Sequence, residues 1–137
     1  VPHLTAAGKA WLAALDDPEI ESILALEQKR SSATTGARPL SLADIRKSMA
    51  SCRRLGCAST VDEIEPGLTA VAAAVKLPGS SGGRPVAAVS VAGPTVRIGA
   101  ARIKEFGALM IQASRELAEV WDLLGSGMRG SAEPWPS

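Results

Sequence analysis

Tyrosine is absent from this 137-residue chain, phenylalanine and histidine occur once each, and cysteine occurs twice. Each scarcity excludes something. With 3% aromatic residues, platforms on which bases or sugar rings could stack are few. The single histidine, His3, sits beside the first residue, so a Ser-His-Asp arrangement would have to draw its base from a chain end. Cys52 and Cys57 form neither a C-x-x-C pair nor a secreted disulfide framework; both read as small buried hydrophobes of a cytoplasmic protein. No apolar run approaches the ~18 residues of a membrane span, and no basic-then-apolar signal is present. A net charge of +1 makes no general electrostatic case for nucleic acid. No Gly-rich phosphate loop, metal-ligand spacing or isolated carboxylate pair stands out, so neither catalysis nor a cofactor or metal is expected.

What is present is small and aliphatic. The chain fits one domain, long enough to bury roughly two thirds of its unfolded surface. The stretch Arg84 to Pro94 reads as a strand: Val86, Ala88, Ser90 and Ala92 fall on one face, Ala87, Val89 and Val91 on the other. Both faces are small and apolar, which predicts a strand in the middle of a covered sheet. Pro85 can open it and Gly93-Pro94 stops it. Ser90 is the lone hydroxyl, placed where a buried ligand or a backbone carbonyl could take its hydrogen bond.

Helices are expected from about Ala6 to Leu15, capped by Thr5; from Asp17-Pro18-Glu19 to near Glu27, burying Ile20, Ile23, Leu24 and Leu26; and from Ser41 to Leu55, stopped by Gly56. The first helix presents unpaired N–H groups that suit a carboxylate or phosphate, although Thr5 and water could satisfy them. Lys9 reads as a helix-surface lysine. Arg46, Lys47, Arg53 and Arg54 form a basic stripe on the third helix, read as a solvated outer face. Cys57 to Val61 is a short strand, and Asp62, Glu63 and Glu65 a solvated turn closed by Pro66-Gly67. Thr69 to Lys76 makes a hairpin with the Arg84 strand through the Leu77 to Gly83 loop. A closing helix from Ala100 to Leu124 turns Ile103, Phe106, Met110, Leu117, Val120 and Leu124 inward, with Arg115 and Glu119 spaced for an ion pair. The domain is placed at residues 1–124, with residues 125–137 as a flexible tail.

Three segments in order, Pro2 to Ala10 (Pro-His-Leu-Thr-Ala-Ala-Gly-Lys-Ala), Arg54 to Ala58 with Asp62 to Leu68, and Ala87 to Pro94 (Ala-Ala-Val-Ser-Val-Ala-Gly-Pro), together resemble the effector-binding domain of IclR-type bacterial transcriptional regulators. The resemblance runs from Val1 to about Trp121. It implies an α+β, profilin- or GAF-like antiparallel sheet covered by helices, with the opening strands of the domain absent from this chain, so that a sheet edge is exposed. It implies a homodimer or homotetramer, and DNA contact only through a winged helix-turn-helix domain that this chain does not contain. It implies a small carboxylate effector, held by the Ala6 and Ala7 backbone near Thr5 and by Thr60, Ala70, Ser90 and Ala92. The family often carries an acid at Thr60, can carry a cysteine at Ala70 and commonly has a serine at Ala92, so the pocket implied here is less polar and suits an aromatic or otherwise bulky acid. The same three departures suit an oligomerisation module whose pocket has decayed.

Overall fold

Alternation of small apolar residues over Leu-Thr-Ala-Val-Ala-Ala-Ala-Val-Lys makes one strand that can be covered on both faces, and the fold is built on it. The computed structural model describes residues 5–33, 42–77 and 83–128. In it β1 (Ala58–Val61), β2 (Leu68–Lys76) and β3 (Pro85–Pro94) form an antiparallel sheet in the order β1-β2-β3. Val71, Ala72, Ala73 and Val75 of β2 are each at most 1% exposed.

The sheet's middle is therefore β2, and not the Arg84 strand. Among the described residues β3 pairs on one side only, and its Val86, Ser90 and Ala92 are exposed. Small side chains gave the two strands the same appearance; what differs is a neighbour on the second side.

Among the described residues four α-helices complete the α+β fold: α1 (Ala6–Ala13), α2 (Asp17–Ala33), α3 (Leu42–Leu55) and α4 (Ala100–Met128). The first three pack as one core with Ala58 and Ala72, on the sheet face that also carries Ala70. Leu12 and Leu24 are its largest fully buried side chains. Leu26, expected inside, is 60% exposed, and Leu55 at the end of α3 is 58% exposed. The cap of α2 is Asp16, whose Oδ1 accepts from Glu19 N–H at 2.9 Å, one residue before Asp17, where the helix is expected to start. Its last turns run past Glu27 to Ala33, and α4 runs past Leu124 to Met128. Ser41, most of the Leu77 to Gly83 loop and residues 129–137 lie outside the described residues.

On the other sheet face α4 approaches through small residues. A Cβ on Gly107 would stand 2.9 Å from Cys57 Sγ, and Ser114 and Ala118 are buried. Val120, expected inside, is 42% exposed, because the helix turns its small side chains to the sheet and the larger ones flank the contact. No ion pair joins Arg115 and Glu119; Gln112 Nε2 instead donates to Glu116 Oε1 at 3.1 Å.

Candidate functional site

The register brings the predicted residues together. Thr60 stands opposite Ala70, and Ala70 opposite Ala92, so the three form one cross-strand row; Ser90 lies opposite Ala72, the next position on the same face. At a strand spacing of about 4.8 Å the row is roughly 10 Å long. This is the face on which α1 lies, since Ala6, Ala10 and Ala70 share its core.

The row is graded. Thr60 is 2% exposed, Ala70 is half-buried, and Ala92 and Ser90 at the β3 end are open to solvent. Ser90, expected to be covered, is not, for the same reason that β3 is an edge. At the α1 end, Thr5 Oγ1 accepts from Gly8 N–H at 2.9 Å and Thr5 O from Lys9 N–H at 2.8 Å. That cap engages Gly8 rather than Ala6 or Ala7, whose N–H groups belong to the first turn, where no intrahelical acceptor exists. Ala6 is buried and Ala7 half-buried.

Among the described residues three polar side chains are buried: Thr60, Thr69 and Ser114. Ser114 Oγ donates to Ile111 O at 2.7 Å. Thr69 O–H donates to Thr95 Oγ1 at 2.9 Å, and Thr95 in turn donates to Asp62 Oδ1 at 2.8 Å. Asp62 Oδ1 also accepts from Gly67 N–H, which holds the acidic turn with Asp62 at φ 54°. Thr60 has no such chain; among the described residues no hydrogen bond engages its hydroxyl. An unpaired buried hydroxyl forfeits on the order of 1 to 3 kcal/mol.

Two cations do more than solvate a surface. Lys9 pairs with Glu63 and is 11% exposed, tying α1 to the turn that follows Thr60. Arg53 Nε donates to Ala13 O at 3.0 Å, Nη2 to Leu15 O at 2.9 Å and Nη1 to Asp17 Oδ1 at 2.8 Å. It caps the end of α1. Arg46 forks onto Glu21, two bonds of 2.9 Å, which holds that carboxyl below its usual range. The only signal in the sequence was the position of Arg53 in the last turn of a helix. Among the described residues no group of three His, Cys, Asp or Glu could hold a metal.

The Bacterial transcriptional regulator IclR C-terminal family matches residues 2–119. The chain belongs to the IclR family. It is 33% identical over 127 residues to Transcriptional repressor IclR of Escherichia coli (strain K12), covering 93% of this chain and 43% of that protein. Against the C-terminal domain of the E. coli transcriptional regulator KdgR it has a TM-score of 0.69 at 29% identity, covering 86% of this chain and 69% of that one. The Agobacterium tumefaciens repressor BlcR shares the fold, with a TM-score of 0.71 at 19% identity over 86% of this chain and 46% of that one. The chain thus spans less than half the length of the repressors it matches, and corresponds to the C-terminal domain of the IclR family. Two of those relatives are repressors and the third is a transcriptional regulator. No helix among the described residues is long and apolar enough to cross a membrane.

Proposed function

We propose that this IclR-family domain senses a small carboxylate for a cytoplasmic transcriptional regulator, and that an aromatic or otherwise bulky acid binds along the Thr60–Ala70–Ala92 row against the N-terminus of α1. The observation that carries this reading is the Thr60 hydroxyl, 2% exposed and unpartnered at the closed end of a row whose other end is open. A carboxylate there would accept from Thr60 and from the Ala6 and Ala7 N–H groups, where the helix dipole adds to the attraction. Ser90 would donate from the open end, and Ala70 and Ala92 leave room for an apolar body. DNA contact belongs to a winged helix-turn-helix domain outside this chain.

Sensing requires the acid to prefer one arrangement of protomers in a homodimer or homotetramer, typically by 1 to 3 kcal/mol. The end of α1 is pinned by Arg53 and its middle by Lys9, so a ligand at its first turn can shift it only as a body. That makes α1 the element able to pass the change on.

A thermal-shift titration against short keto acids and aromatic carboxylic acids tests the reading. A ligand at 100 times its dissociation constant adds about 2.7 kcal/mol of stability, so the aromatic set should raise the melting temperature and the keto acids should not. Response to the keto acids alone would overturn the enlarged pocket; response to neither would leave the oligomerisation role. Ser90→Ala should weaken the aromatic acid by about 1 to 2 kcal/mol in calorimetry, and an unchanged affinity would remove Ser90 from the site. Thr60→Val is the sharper variant. It deletes an unpaired hydroxyl at nearly constant volume, so the free protein should gain about 1 kcal/mol while the ligand response falls. A loss of stability in denaturation would mean that Thr60 is already satisfied.

A further inference from the structure

A cavity stands apart from that row. β1 pairs with β2 only as far as Ala72, and beyond it β2 has no partner on that side among the described residues. A cleft of about 860 Å³ opens at this step in the sheet. Ala74 of β2, Ala10 and Ala13 of α1, and Ile111 and Ala118 of α4 line it. None of the seven residues assigned to the sheet-face site lines it. The volume is that of a pocket for a drug-sized molecule, and its walls are mostly apolar.

The charge at the cleft is not balanced. Lys76, Arg53, Arg115 and Glu119 line it. Arg53 is spent on Asp17 and on the carbonyls of Ala13 and Leu15. Lys76 and Arg115 are exposed, and neither makes an ion pair or a side-chain hydrogen bond among the described residues. Glu119 is the one carboxylate among the lining residues that stands against them, so the cleft keeps one net positive charge beside an apolar lining. The remaining titratable group, the buried Cys52 thiol, is neutral at pH 7.

We propose that this cleft is a second small-molecule site, one that takes an amphipathic monoanion with its chain or ring between α1 and α4 and its charge at Lys76 and Arg115. The site joins the packed end of α1 to α4, whereas the row joins the other end of α1 to the sheet, so the two ligands would act on the same helix from opposite ends.

Octanoate and octan-1-ol, titrated calorimetrically into the whole chain, separate charge from apolar contact. Octanoate should bind saturably and the alcohol at least tenfold more weakly. A Lys76→Ala/Arg115→Ala double variant should weaken octanoate at least tenfold; both side chains are exposed, so its melt should be unchanged. Should that melt shift, Glu119→Gln serves instead and should tighten octanoate severalfold. Ser90→Ala should leave octanoate untouched. The proposal falls if octanoate does not saturate, if the alcohol binds equally, or if neither the double variant nor Glu119→Gln moves the affinity. It also falls if Ser90→Ala is the variant that weakens octanoate, because the acid would then occupy the sheet face.

Discussion

Replacing Arg53 by alanine is expected to cost about 3 kcal/mol of folding stability, read as a lower midpoint in urea unfolding. One guanidinium makes three hydrogen bonds of 2.8 to 3.0 Å to Ala13 O, Leu15 O and Asp17 Oδ1. The last carbonyls of a helix have no intrahelical donor, and a bond from a charged donor contributes roughly 1.5 to 3 kcal/mol. Ala13 and Leu15 are 6% and 4% exposed, so water reaches the stranded carbonyls poorly. The Asp17 bond adds little, since that carboxylate is 80% exposed. Three full bonds would exceed 3 kcal/mol; partial access of water around a side chain 41% exposed brings the sum down. Arg53→Lys should recover less than half, because an ammonium cannot reproduce the planar fork that reaches both carbonyls. A cost below 1 kcal/mol for alanine would show that solvent replaces the guanidinium, and that α1 is held by its apolar face alone.

Arg53 also shows where sequence reasoning stops. Its spacing from Arg46 placed both in one basic stripe, and a stripe of that kind is ordinarily a solvated face. What turns Arg53 into a structural cap is the end of α1, forty residues earlier in the chain, brought beside it by packing. Pattern reports which face of a helix a residue occupies and nothing about what that face meets. The same limit explains α4. Its large aliphatic residues make the obvious stripe, yet the helix packs through Gly107, Ser114 and Ala118, because a close approach to the sheet needs small side chains at the contact.

Local chemistry was legible. Thr5 caps α1 through the bond to Gly8 N–H, and Gly56 at φ 80° ends α3 in the conformation glycine tolerates best. The hairpin of β2 and β3 and its direction also follow from two apolar runs and a Gly/Ser-rich loop. The order of the strands did not follow, because Val86 to Gly93 carries no charge and would suit a central or an edge position equally. For the candidate site, the family resemblance supplied the residues and the register supplied their row. The cleft had no motif at all: its lining comes from α1, α3, β2 and α4, and only the step at Ala72 brings those pieces to one place.

A second large effect is expected at alkaline pH. Cys52 sits on the buried face of α3, 6% exposed, and burial pushes its thiol up from 9.0 to about 11. The neighbouring Cys57 adds to the shift, while Lys9, Arg53 and Lys76 oppose it. Below pH 8 the thiol is protonated whether the chain is folded or not, and it contributes nothing to the pH dependence. Between 9 and 11 the unfolded chain releases the proton and the folded chain keeps it, so stability falls as pH rises. At about 1.4 kcal/mol per unit, the full loss is about 3 kcal/mol. Urea unfolding at pH 8 and pH 10.5 of the wild type and of Cys52→Ala isolates the effect. The variant should be less stable at pH 8, having lost a packed sulfur, and should lose much less between the two pH values. Equal losses would mean that the thiol ionises in place and that water already reaches it. The same burial bears on chemistry near neutral pH: a thiol kept protonated is a poor nucleophile. Cys52 therefore serves the domain as packing between α3 and the sheet, and of the three cations around it only Lys76 has no ion pair or side-chain hydrogen bond among the described residues.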